Sequence, residues 1–542
     1  MLFLWAGSET AHGASSDVII YAEGQTATQK SFNGYQLLEL TTSLACTDEA
    51  HLADITLHND DCYNYAYEFD TLNADNSAKY KAILLKVAGI TVTTQTELAL
   101  RDELLTKLEA MESEEEVRAF ADSVYKEIKA ANLTADVITD MGTAKIAQGY
   151  WLFADVTEDL EDKKDDAHSL VILDTKGTGK LRISEKKSVP TVTKAVAEEK
   201  EGSYSDYVDV NMQDEVFFRL TGTLPKDDFN SFDSYATYQY VFHDTLSVGL
   251  TGEESSVKVF VMDETGHRAE VVQGFTAVLD GQKLTVTMAD VKSLLGVNNV
   301  PITVNKNCGI IVEYKAVLNS EAVIGSMGNP NTVYLEYSND PYGEGTGTTI
   351  EDKVCVFTLQ LEVTKVKAGD AAVRLPNAQF VICRLNEVGD KEYVQVDMEK
   401  TDKVNSWTTT KEDAKVFVTD AEGRFVLGGL DQGTYYLEEI QAPVGYYLLK
   451  APIELVITAE YDMAMGVKVL KANMDATGEV ASATPSDGVV AVTVENSAVP
   501  QLPSTGGRGT QILYLIGGIL VLAAGGALIV KRYIKNAKDI DS

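Results

Sequence analysis

Apolar and polar residues alternate with a period of two along most of this chain. That period marks strands, because successive strand side chains point to opposite faces. The pattern is clear in YQYVFHD (238–244), VYLEYSND (333–340), LQLEVTK (359–365), TYYLEEI (434–440) and VAVTVEN (490–496). Turn signals such as DETG, LDGQ, DAEG and the Pro443–Gly445 segment separate such runs. One stretch differs: in TELALRDELLTKLEAMESEEEVRAFADSVYKEIKAA (96–131) apolar residues recur at three and four, which predicts an amphipathic surface helix.

These patterns divide the chain. Residues 1–16, MLFLWAGSETAHGASS, read as a leader or as the tail of a secretory signal without its basic start. Residues 17–187 mix strands with the helical stretch, 188–353 are β-rich up to a GEGTGTT loop (343–349), and 354–499 are again all-β. The expected fold is mainly β: tandem immunoglobulin-like β-sandwich domains, the first with an added α-helix. Residues 500–542 hold LPSTGG (502–507), an apolar run ILYLIGGILVLAAGGALIV (512–530) and then KRYIKNAK. The run is long enough to span a bilayer. Lys531, Arg532, Lys535 and Lys538 behind it place the tail in the cytoplasm.

Composition narrows the function. A net charge of −36 argues against nucleic-acid binding and fits a self-repelling, solvent-facing surface. The cysteines are too few and scattered for a disulfide framework, although Cys46 and Cys62 are close enough in sequence to bridge. Histidine spacing matches no metal motif, so neither a metal nor a cofactor is expected. KGTGK (176–180) lacks the spacing of a phosphate loop and reads as a hairpin turn.

Three charged or amide side chains interrupt apolar faces in the last domain. Glu439 shares a face with Tyr435 and Leu437; Lys365 ends the Leu359, Leu361, Val363 face; Asn496 ends the Val490, Val492, Val494 face. A strand end turning toward water, or a Lys365–Glu439 salt bridge, would account for any one of them. All three together point to amide formation. Burial disfavours both charged forms, lowering the lysine pKa and raising the glutamate pKa. A neutral Lys365 amine can then attack the Asn496 side-chain carbonyl, while protonated Glu439 polarises that carbonyl and shuttles protons as ammonia leaves. The product is a Lys365–Asn496 isopeptide bond between first and last strands, through which end-to-end force would pass.

YYLEEIQAPVGY (435–446) resembles the E-box of Gram-positive pilins, YxLxETxAPxGY, with Ile440 in place of the usual threonine on the face opposite the glutamate. The domain is similar to the collagen-adhesin B-type fold, in which this triad crosslinks by itself. Upstream, Lys194 lies with Val192 and Val196, Asp244 with Tyr238, Tyr240 and Phe242, and Asn339 with Val333, Leu335 and Tyr337. These segments resemble the middle domain of isopeptide-forming fimbrial backbone proteins, where an aspartate is the acid. The resemblance implies a Lys194–Asn339 bond assisted by Asp244; Asp340 points to the other face.

The C-terminal arrangement resembles the cell-wall sorting signal of Gram-positive surface proteins, with Leu502, Pro503, Ser504, Thr505 and Gly506 as its motif. By that resemblance a sortase cysteine cuts between Thr505 and Gly506 and passes the Thr505 carbonyl to an amine, so that residues 512–530 anchor the chain only transiently. In similar fimbrial proteins the acceptor lysine lies four residues before the proline of PTVxK. Within LRISEKKSVPTVTK (181–194) that position is Lys186, with Lys187 as the alternate. The whole implies a wall-anchored pilus backbone subunit, joined from Thr505 to Lys186 of the next copy. Its implied partners are a class C pilus sortase, a housekeeping sortase, further copies of itself, ancillary pilins and peptidoglycan, with room for a host surface ligand. Its own chemistry would be one self-crosslinking turnover rather than enzymatic. A monomeric wall-anchored adhesin or an ancillary or basal pilin is the alternative; a surface hydrolase lacks any nucleophile–base constellation.

Overall fold

The strands form three bodies in chain order. A computed structural model describes residues 15–22, 31–44, 63–69, 74–138, 143–156, 167–175, 180–185, 188–226, 231–325, 327–396, 399–459, 481–486, 488–500 and 508–538. Sequence expectations for Cys46, Cys62, residues 176–179, Lys186, Lys187 and the Leu502–Gly506 motif lie outside the described residues. Cys308, Cys355 and Cys383 are buried free thiols.

In the first body, strand Ser15–Ala22 pairs antiparallel with Thr143–Ala147 and parallel with Lys180–Glu185. A second sheet runs Tyr63–Glu68, Phe32–Leu44, Gly149–Asp155, Leu170–Asp174. The helix expected over 96–131 is two helices, Glu97–Glu109 and Glu114–Ala130, and a further helix, Ala74–Val87, precedes them. Ser113 makes the break. Its hydroxyl accepts from the Glu116 N–H at 3.1 Å, and the Glu116 carboxylate accepts from the Ser113 N–H at 3.2 Å. This reciprocal capping box starts a new helix inside a pattern that looks continuous. Leu84, Leu104, Val124 and Ile128 then bury against Leu38 and Leu152 of the sheet.

The middle body is two sheets face to face. One runs Tyr207–Asp209, Asp352–Phe357, Asn329–Ser338, Tyr240–Leu246, Lys283–Met288, Thr276–Asp280. The other runs Leu295–Gly296, Arg268–Gln273, Lys258–Met262, Gly309–Leu318, Glu215–Thr223, Val192–Ala197. Strand Asp352–Phe357 pairs with Asn329–Ser338 and Tyr207–Asp209, so it belongs whole to this body rather than being divided at 353. Fully buried Thr358 joins it to the last body.

There, strand Leu359–Lys367 lies beside Val489–Asn496 in parallel, from Gln360 opposite Val489 to Lys367 opposite Asn496. The facing sheet contains Gln379–Leu385, Gly433–Gln441 and Ile453–Ile457. One apolar core runs through the middle and last bodies. Gln432 ties them further, donating to Asp209 from its backbone at 3.2 Å and its side chain at 2.7 Å. At the other junction Asp122 accepts from Arg118, from Ser234 and from Tyr342. Helix Arg508–Lys538 follows, and its Leu513–Lys531 stretch, mean hydropathy 2.4, is long and apolar enough to cross a membrane.

Candidate crosslinking sites

In the last body the alternation puts Leu359, Leu361, Val363 and Lys365 inward on one strand and Val490, Val492, Val494 and Asn496 inward on its neighbour. Lys365 is 0% exposed, Asn496 2% and Glu439 5%. Lys365 Nζ donates to Asn496 Oδ1 at 2.5 Å and lies 3.5 Å from Glu439 Oε1. Asn496 Nδ2 donates to both Glu439 oxygens, at 2.9 and 3.1 Å. The glutamate reaches across from the facing sheet, and Ile440 beside it is on the exposed side. Burial drives the Lys365 pKa down to about 8 against the opposing pull of Glu439.

The local chain explains why the three meet. After Glu439 the strand ends in a turn whose Tyr446 N–H bonds the Pro443 carbonyl at 3.1 Å, with Gly445 at φ +89°. That third turn position favours glycine, because other residues resist positive φ. The chain folds over the end of the Asn496 strand, Tyr447 N–H bonding Ser497 O at 3.0 Å. It thereby brings the Leu449 N–H to Glu439 Oε2 at 2.9 Å. On the Lys365 side, the Lys365 N–H donates to Gly423 O at 2.7 Å. Gly423 has φ +71°, and a Cβ there would lie 2.6 Å from Lys365 O, so the DAEG turn requires its glycine. The arrangement presents an uncharged-prone amine to an amide carbonyl, with a carboxyl group on the leaving nitrogen.

The middle body holds a second set. Lys194, 3% exposed, donates to Asp244, and its ammonium lies 5.1 Å from the Phe218 ring centre. Burial lowers the Lys194 pKa to about 8, and burial raises that of Asp244. Asn339, the partner expected from sequence, is elsewhere. Asp244 pairs opposite Val333, and Asn339 lies six residues further along that strand, roughly 20 Å at strand rise. Its backbone contacts the first body instead, its carbonyl accepting from the His168 N–H at 2.6 Å.

The amide beside Asp244 is Asn331, fully buried two residues the other way on the same face. Asn331 Nδ2 donates to the Tyr314 hydroxyl at 2.6 Å, and Tyr314 donates to Asp244 Oδ2 at 3.0 Å. Asn331 Oδ1 and Asp244 Oδ1 are buried without a hydrogen-bond partner. Asn331 and Asn339 pass the same face test, so alternation alone cannot choose between them; strand register does.

Comparison with known proteins finds matches to two parts of the chain. Residues 360–469 match the SpaA prealbumin-like fold domain, and residues 494–535 match the LPXTG cell wall anchor motif of Gram-positive proteins. The trypsin-resistant surface T6 protein of Streptococcus pyogenes serotype M6 is 23% identical over 411 residues, 64% of this chain and 69% of that protein. Fimbrial subunit type 2 of Actinomyces naeslundii is 26% identical over 352 residues, 60% of this chain and 58% of that protein. The solved T6 backbone pilin of S. pyogenes serotype M6 superposes with a TM-score of 0.48 at 15% identity, over 91% of this chain and 100% of that one. With a SpaA prealbumin-like domain and an LPXTG anchor motif that includes an apolar helix, the chain is a cell-wall-anchored surface protein similar to a surface protein of S. pyogenes and a fimbrial subunit of A. naeslundii.

Proposed function

We propose that the chain is the backbone subunit of a covalent pilus, polymerised by transfer of its Thr505 acyl group to Lys186 of another copy, with Lys187 as the alternate acceptor. Two self-formed bonds stiffen it: Lys365–Asn496 assisted by Glu439, and Lys194–Asn331 assisted by Asp244. The observation that carries this reading is the mutual contact of buried Lys365, Asn496 and Glu439 on strands that open and close the last body. In each site the amine nitrogen attacks the amide carbon, one proton passes through the carboxyl group to the amide nitrogen, and ammonia leaves. Metal and cofactor have no part in this scheme. A class C pilus sortase would make the intersubunit bond, and a housekeeping sortase would transfer the finished polymer to peptidoglycan.

The test is a denaturing immunoblot of wall extracts from wild type and Lys186→Ala. A ladder of heat-resistant multimers that collapses in the variant is the expected outcome. A ladder that persists moves the acceptor to Lys187 or to another lysine, and a single band in both strains replaces the polymer with a monomeric wall-anchored protein.

A further inference from the structure

The two sites differ in how the acid meets the amide. In the last body the glutamate touches the amide nitrogen directly, at 2.9 and 3.1 Å. In the middle body the acid is an aspartate, one methylene and so about 1.5 Å shorter. The Tyr314 hydroxyl stands in the gap, 2.6 Å from Asn331 Nδ2 and 3.0 Å from Asp244 Oδ2. Nothing about packing requires a hydroxyl there. Tyr314 is 3% exposed and stacks on Phe218 at 5.2 Å between ring centres, a position a phenylalanine would fill. We propose that Tyr314 is a further catalytic residue of the middle crosslink, relaying the proton between Asp244 and the amide nitrogen of Asn331 that departs as ammonia. This rests on the Lys194–Asn331 reading above.

The step balances. Lys194 first gives its ammonium proton to Asp244, leaving a neutral amine and a neutral carboxylic acid. The amine lone pair attacks Asn331 Cγ, and the amide nitrogen of the tetrahedral adduct gains a basic lone pair. Tyr314 rotates its hydroxyl, gives its proton to that nitrogen and takes the Asp244 proton in turn. Asp244 recovers a proton from Nζ, the C–N bond breaks, and ammonia leaves. Tyrosine ends as it began, Asp244 ends as the neutral acid holding one of the protons that Lys194 brought, and no other reactant is needed. Burial raises the Tyr314 pKa well above its ordinary value, so the phenol stays neutral and able to donate and accept in one motion.

The experiment is cell-free synthesis of the full chain, quenched in denaturant at intervals, with intact mass and mapping of crosslinked peptides. In Tyr314→Phe the Lys194 crosslink should form on the order of 100-fold more slowly, as for loss of a general acid, while the Lys365–Asn496 crosslink in the same molecule keeps its wild-type rate. Melted before its Lys194 crosslink has formed, the variant should match Asn331→Ala, which lacks the same bond but keeps the phenol. Wild-type formation of the Lys194 crosslink in Tyr314→Phe would overturn the relay. So would slow formation with melting well below Asn331→Ala, because lost packing would then account for it. If Asn331→Ala itself still forms a Lys194 crosslink, the acceptor assignment fails, a result separate from either outcome for Tyr314.

Discussion

Replacing Glu439 with glutamine keeps the side chain's size and one carbonyl for the Asn496 N–H, yet removes the group that moves the proton. Glutamine can neither take the Lys365 proton nor return one to the leaving nitrogen, so the last body should fold without its bond. The proposed bond would close a loop of 131 residues between Lys365 and Asn496. Loop-closure entropy for that length is about 5 kcal/mol, on the scale used for disulfides. At about 4 °C per kcal/mol for a body of this size, the transition of the last body should fall by roughly 20 °C. Two measurements check it on the same sample. Denatured intact mass should rise by about 16 Da over wild type, about 17 Da for the ammonia retained less about 1 Da for the substitution itself, and calorimetry should show the lower transition. If Glu439→Gln is instead about 1 Da lighter than wild type, the mass of the substitution alone, proton transfer by this carboxyl is not needed and the mechanism is refuted. If the mass rises but the transition does not move, the loop-closure estimate is refuted instead.

Two further outcomes follow from the same geometry. In Asn496→Ala, Lys365 stays buried and unreacted, with a folded pKa near 8 from desolvation and an unfolded value about 10.4. The unfolded chain then binds more protons between those values, so stability should rise with pH from about 8 to 10, and that gain should be missing in wild type; denaturant melts at pH 7 and pH 10 read it directly. For the middle body, Asn331→Ala should lose only one ammonia and Asn339→Ala should lose both. Retention of both losses in Asn331→Ala, by denatured mass, would restore the search for the acceptor.

The last site was readable in the sequence because each of its three strands carries a single polar residue at the inward end of an apolar face. Burial of Lys365, Glu439 and Asn496 follows from period two alone. The middle site was only half readable. Asn331 and Asn339 share a face, and the choice depends on Asp244 pairing opposite Val333, a non-local fact that no local pattern carries. Tyr314 was missed because an inward tyrosine reads as core, and its hydroxyl matters only through partners on two other strands. The helix break at Ser113 was written as Ser-Glu-Glu-Glu, but acidic neighbours on both sides hid the box within an apparently unbroken charged face. The division at 353 failed for a similar reason: Asp352–Phe357 alternates like its neighbours, and only its pairing assigns it to the middle sheet.

The parallel neighbours Leu359–Lys367 and Val489–Asn496 carry one more consequence. A bond from Lys365 to Asn496 makes the backbone between them a closed ring, with the through-route of the chain running along the bond instead. A protease that cuts one exposed turn in that ring, at Glu387–Asp390 or at Asp420–Glu422, opens the ring without severing the chain. The nicked subunit would remain one covalent, branched molecule, migrating anomalously on a denaturing gel rather than as two fragments.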